Sequence, residues 1–169
     1  PVGVQINGEK EVCGKYFICN SSPNRVWSDL FEKKDIPGKQ IKMLNARKIA
    51  CSLTTVYLGM NKTKEELGIK DYSVFIAPDS DSDKQYEAAQ NFFSGFCIIN
   101  CLNEIIPDCT PEGTSQLFLT TMTFGDVMKD IRPQDYKKFK TKVAKDMIET
   151  CEKALNISIT PYIEEIEIA

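Results

Sequence analysis

Phe96-Cys97-Ile98-Ile99-Asn100-Cys101-Leu102-Asn103-Glu104, a polar break at Asp108-Cys109-Thr110-Pro111-Glu112-Gly113, then Ser115-Gln116-Leu117-Phe118-Leu119-Thr120-Thr121-Met122-Thr123-Phe124: this stretch decides the fold. Two runs rich in aromatic and β-branched residues around a Pro-x-Gly break predict two sequential antiparallel strands. In both runs apolar residues fall on both parities: Phe96, Ile98 and Leu102 against Cys97, Ile99 and Cys101 in the first, Phe118, Met122 and Phe124 against Leu117 and Leu119 in the second. A strand with one wet face alternates cleanly, so the pair is expected to be covered on both sides. One cover is the chain's own helix. The second cover is the question on which function turns.

That helix is the clearest one in the chain. Pro133 stands in its first turn, Asp135 favours its amino end, and Tyr136, Phe139, Val143, Met147, Cys151 and Leu155 recur at helical spacing. Ala144, Ile148 and Ala154 are expected to widen the stripe. Lys137, Lys138, Lys140, Lys142 and Lys145 fall between the apolar positions, as on a solvated outer face.

Upstream, residues 2 to 19 predict a hairpin, with Val2, Val4 and Ile6 leading into the Asn7-Gly8 turn and a return strand from Val12 to Cys19. Asn20-Ser21-Ser22-Pro23 caps a short helix through Phe31, which Ile36-Pro37-Gly38 stops. Residues 47 to 59 predict a long strand with Ile49, Cys51, Leu53, Thr55 and Tyr57 on its bulky face. Thr63 starts a one-turn helix that Gly68 ends; residues 72 to 77 form a short strand, and residues 84 to 93 a helix capped by Asp83. Ile157 to Ile168 predicts a last strand, placed at a sheet edge by Pro161. The class is α+β: an antiparallel or mixed sheet of four to six strands with helices packed on one face.

The 169 residues, 42% hydrophobic and 27% charged, suffice for one domain with a real core. A net charge of −3 offers no global attraction to nucleic acid, so no nucleic-acid partner is expected. The longest uncharged run, residues 88 to 103, is too short and too polar for a transmembrane segment. Seven cysteines without CxxC spacing favour reduced thiols and a cytoplasmic location, with Cys97 and Cys101 as small buried hydrophobes. The chain opens inside a strand-like phrase, and is expected to be a piece of something longer.

Most catalytic devices are missing from the sequence. It holds no His for a Ser-His or Cys-His pair, and its nine glycines match neither GxGxxG nor GxxxxGK[ST]. Asp79, Asp81 and Asp83 begin like a calcium loop, but Lys84 stands where Gly is needed and Gln90 where Glu is needed, which favours a solvated loop. Tyr57, Asn100, Asn103 and Met122 interrupt strands that would otherwise prefer aliphatics; they are substrate-pocket candidates, or else satisfied polar and gap-filling core residues.

Several phrases together resemble one family. Ile18-Cys19-Asn20-Ser21-Ser22-Pro23 resembles the "VIsNAdP" strand-turn of the phytoene desaturase-like FAD-dependent oxidoreductases, a branch of the flavin amine oxidase superfamily. Residues 54 to 60 followed by Glu65-Glu66-Leu67-Gly68 are similar to its "vylGLd…peeLGl". Residues 107 to 115 are similar to "DpslAPeGts", and Tyr136 with Lys140 to the "Y…K" of the next helix. The resemblance implies that residues 1–31 correspond to the return into the FAD-binding domain and residues 32–169 to the substrate-binding domain. It also implies that both flavin-binding motifs lie outside this sequence. FAD then belongs to the full-length protein and none is expected on this piece alone. Its sheet would roof the flavin ring beside a lipophilic substrate, its partner would be the missing FAD-binding domain of the same polypeptide, and no catalytic residue is carried over. The implied reaction is hydride transfer between a C–C bond and FAD, a chemistry the cofactor supplies. Without that domain the greasy sheet face could also pair two copies into a homodimer.

Two readings from other classes stand beside it. A self-contained α+β binding or interaction module without catalysis would present a polar second face. A thiol enzyme would need one cysteine of outstanding reactivity.

Overall fold

Strand β5 (Cys97–Cys101) and strand β6 (Ser115–Phe124) pair antiparallel, Ile98 opposite Thr120 and Asn100 opposite Phe118, as the two apolar runs predict. In the computed structural model, which describes residues 3–48, 50–124 and 127–169, they are the centre of a five-stranded antiparallel sheet. Its order is β4-β5-β6-β3-β7, with β3 at Cys51–Met60, β4 at Ser73–Ile76 and β7 at Ile163–Ile168. Strand β7 is an edge, as Pro161 suggested. That proline lies in the 3₁₀ turn Thr160–Tyr162, just before the ladder begins, where its missing N–H costs no strand hydrogen bond.

One face of this sheet is a dry core. Val56, Leu58, Met60, Cys97, Ile99, Cys101, Leu117 and Leu119 are buried there, and helix α4 (Tyr136–Leu155) lays Val143, Ala144, Met147, Ile148 and Cys151 against them. Full burial stabilises by about 1.5–3 kcal/mol for each large side chain, before conformational entropy is subtracted. Ala154 departs from expectation: it is exposed, because the stripe turns away from the sheet as the helix nears its left-handed end at Asn156. Lys140 donates to the Ile168 carbonyl, and Glu152 Oε1 accepts the Ile159 and Thr160 N–H groups at 2.7 and 2.8 Å, so α4 holds both ends of the segment leading through β7. Burial alone would raise the Glu152 carboxyl above its usual range, but those backbone donors outweigh it and hold the pKa down.

Residues 63–69 form one helical turn with both ends closed. Thr63 Oγ1 accepts the Glu66 N–H while Glu66 Oε2 accepts the Thr63 N–H, a reciprocal capping box. Gly68, at φ +77°, ends the turn: its N–H donates to Glu65 O while Ile69 N–H reaches back to Lys64 O. Helix α3 (Ser82–Ala88) is capped by Asp81 rather than Asp83; Asp81 Oδ1 accepts the Asp83 N–H at 2.9 Å. Asp79 is occupied by the Asp81 N–H and by Lys84 Nζ, both at 2.9 Å. Those two donors lower its pKa, the backbone N–H more than the ammonium.

The chain divides into two compact units, Pro1–Lys48 and Ile49–Ala169, and the sheet belongs to the second. In the first, β1 (Gly3–Ile6) pairs with β2 (Lys10–Cys13) around a turn with Asn7 and Gly8 at positive φ. The return strand ends at Cys13, not Cys19: β1 offers a four-residue ladder and nothing further to pair with, and Ile18 is left fully exposed. Helix α1 (Pro23–Asp29) starts on Pro23, although the Ser22 side chain makes no cap hydrogen bond. A second helix, α2 (Gly38–Asn45), begins where the sequence suggested only a stop. The stretch 1–31 falls wholly within this unit. Val2 and Ile49, counted on strands above, lie outside the described residues.

Candidate functional site

The second face of the sheet carries the apolar residues that the helix does not cover. Register places them in rows across the strands. Ser73, Asn100, Phe118, Tyr57 and Glu167 form one row; Phe75, Ile98, Thr120 and Thr55 form the next; Met122 and Leu53 pair in a third. Leu53 is 63% exposed, Phe75 67% and Tyr57 40%, while Ile98, Phe118, Met122 and Phe124 are half-buried. Both parities are apolar because both faces of the sheet are apolar, and within the second unit helix α4 covers one of them while α3 reaches only the end of the other. Bulky side chains left on an open sheet face in this number mark an interaction surface.

The face is rigid. Tyr57 and Phe118 meet edge to face with ring centroids 5.3 Å apart, and the Thr55 and Thr120 hydroxyls hydrogen-bond across β3 and β6 at 3.1 Å. Toward the carboxyl end of β6 it deepens into a cleft of about 200 Å³, walled by Phe96, Met122, Phe124 and Tyr86 of α3. Tyr86 and Phe124 stack at 5.3 Å, and the Phe124 N–H donates to Ala89 O, which ties α3 to the end of β6. At the opposite end, Glu165 and Glu167 give the β7 margin a negative, solvated border.

Of the four pocket candidates, the structure brings three to this face. Tyr57 and Asn100 flank Phe118 on either side, and Met122 lies four residues farther along β6, about 13 Å away. Asn103 belongs elsewhere. It stands in the 3₁₀ turn Leu102–Glu104, 5% exposed, where its Nδ2 donates to Thr110 Oγ1 at 2.8 Å and its Oδ1 accepts the Gln116 N–H at 3.0 Å. It is a satisfied structural residue that pins the 102–114 connection to the start of β6. Residues 97–104 therefore do not form one strand, and the ladder ends at Cys101. Phe118, Phe75 and the Thr55–Thr120 pair were missed as site residues, although alternation about Tyr57 and Asn100 places them on the same face.

The buried thiols are not poised for chemistry. Cys97 and Cys151 face each other under α4 with sulfurs 3.6 Å apart, and their mutual hydrogen bond, together with burial, pushes the Cys151 thiol well above the ordinary range. Burial also raises Cys101. Thiols held protonated are poor nucleophiles.

Among the described residues, no helix is long and apolar enough to cross a membrane. The chain matches no model of a known protein family, and no curated protein matches it.

Proposed function

We propose that residues 49–169 form the substrate-side domain of a FAD-dependent oxidoreductase acting on a lipophilic molecule. The observation that carries this reading is the open, apolar second face of a sheet whose first face is fully packed. The family phrases in the sequence imply a sheet laid over a flavin ring and its substrate; such a sheet needs a flat, dry, aromatic-bearing surface, and Phe118, Tyr57, Ile98 and Met122 supply one. The fit extends to the ring alone. A phosphate cradle would need the glycine spacing absent from this sequence, so the dinucleotide part of the cofactor would rest on the missing FAD-binding domain. FAD, when bound, would supply the hydride chemistry. This chain's residues would orient the substrate and keep water from the reacting carbons.

The reading is tested by expressing the chain with its flanking coding segments and comparing it with residues 1–169. The expected product is yellow. Its Leu53, Tyr57, Phe75 and Met122 side chains should be protected from hydroxyl-radical labelling that modifies them in residues 1–169. A longer product that stays colourless after reconstitution with FAD overturns the flavoenzyme reading. If it is colourless and protection rises with protein concentration, the cover is a second copy of the chain.

A further inference from the structure

At the centre of the open face, among Ile98, Phe118, Met122 and Leu53, stand two hydroxyls, Thr55 and Thr120, 3.1 Å apart. Their hydrogen bond uses one O–H hydrogen of the two available, whichever hydroxyl donates. No hydrogen bond to a described residue takes the remaining hydrogen. Covering the face removes water from the pair. A buried hydroxyl hydrogen without an acceptor costs about 1–3 kcal/mol, comparable to the gain from burying one side chain, so an all-hydrocarbon cover would be penalised at the very centre of its contact. The surroundings are mixed: the Asn100 amide and the Tyr57 hydroxyl, one row away, also make no hydrogen bond to a described residue, Glu167 stands beside Tyr57 at the β7 margin, and Ile98, Phe118, Met122 and Leu53 around the pair are apolar.

Building on the reading above, we infer that the small molecule seated on this face is not a pure hydrocarbon. It is a lipophilic compound carrying an oxygen acceptor, a carbonyl or hydroxyl, that lies over Thr55 and Thr120 while its apolar body spreads over Ile98, Phe118 and Met122. The threonine pair acts as a specificity device. It adds modestly to affinity for the correct ligand and discriminates against an isosteric hydrocarbon, whose burial strands the hydroxyl hydrogen.

Two matched probes test this on the chain of residues 1–169: 2-acetylnaphthalene, which carries a carbonyl, and 2-isopropenylnaphthalene, in which a CH2 group replaces the carbonyl oxygen and leaves no acceptor. Binding is followed by methyl NMR shifts at Ile98, Met122, Thr55 and Thr120. The acetyl compound should bind about fivefold tighter, the worth of one net hydrogen bond. The preference should vanish in Thr55→Val/Thr120→Val, which keeps side-chain shape and strand propensity. Equal affinity for the two probes, or a preference that survives the double valine, overturns the inference and leaves the open face as a plain hydrophobic surface. If neither probe shifts the Ile98 or Met122 methyls, the reading of the face as a ligand surface fails with it.

Discussion

The two faces of one sheet both carry apolar side chains, to opposite ends. On the α4 face, Leu117, Leu119, Val56 and Met147 are fully buried and interdigitated; on the other, Phe75, Leu53 and Tyr57 stand in solvent beside half-buried Phe118 and Met122. The first arrangement stabilises this chain. The second adds little to the stability of the unit that carries it, since exposed apolar area contributes to free energy only once something removes it from water. Hydrophobicity by itself therefore says which residues want a partner, and only topology says whether the chain provides one.

Two methionines put the sharpest pressure on that contrast. Met147 is sealed between α4 and the sheet, and Met122 lies on the open face. Met147→Ala should cost about 2–5 kcal/mol in denaturant unfolding, transfer and cavity terms combined. Met122→Ala should cost under about 1 kcal/mol, because its site is already half open and leaves little cavity. Equal losses would mean that the second face is part of the chain's own core.

The asparagines give a smaller, chemically different version of the same test. Asn103 is buried and satisfies Gln116 N–H and Thr110 Oγ1, so Asn103→Ala strands a backbone donor and should cost about 1–3 kcal/mol. Asn100, half-buried on the open face, should lose no more than about 0.5 kcal/mol as Ala. Reversed values would move the candidate pocket from the sheet face to the 102–114 connection.

These pairs also show what could be read from the chain without coordinates. Helix α4 and strands β5 and β6 were legible because their periods are local: the 3.6-residue recurrence from Tyr136 to Leu155 and the apolar runs on either side of Pro111-Glu112-Gly113 need no distant information. Asn103 was misplaced because its partners lie 7 and 13 residues farther on, and it is those bonds that stop β5 at Cys101. The run Tyr16-Phe17-Ile18 has strand composition but no ladder partner, and a strand is defined by its neighbour. Helix α1 has already ended at Asp29, and Pro37-Gly38, read as its stop, instead begins α2, since proline lacks the N–H that a helix start does not use. For the site, residue types out of place in an aliphatic strand pointed to Tyr57, Asn100 and Met122, but the Thr55–Thr120 bond spans 65 residues and appears only when β3 meets β6 in register.

The smallest expected effect is at Leu53, and it isolates the open face most cleanly. Leu53 is exposed on β3 opposite Met122, so threonine there introduces a β-branched strand former and removes apolar area that touches little else. Leu53→Thr should leave the unfolding midpoint within about 0.5 kcal/mol of the parent. In the same protein, binding of a hydrophobic reporter dye to the face should fall measurably. Stability and surface stickiness would then change independently at a single residue, which is the behaviour of a side chain held for a partner. A loss above 1 kcal/mol would show instead that Leu53 is packed by this chain, and the distinction between the two faces would narrow to one of degree.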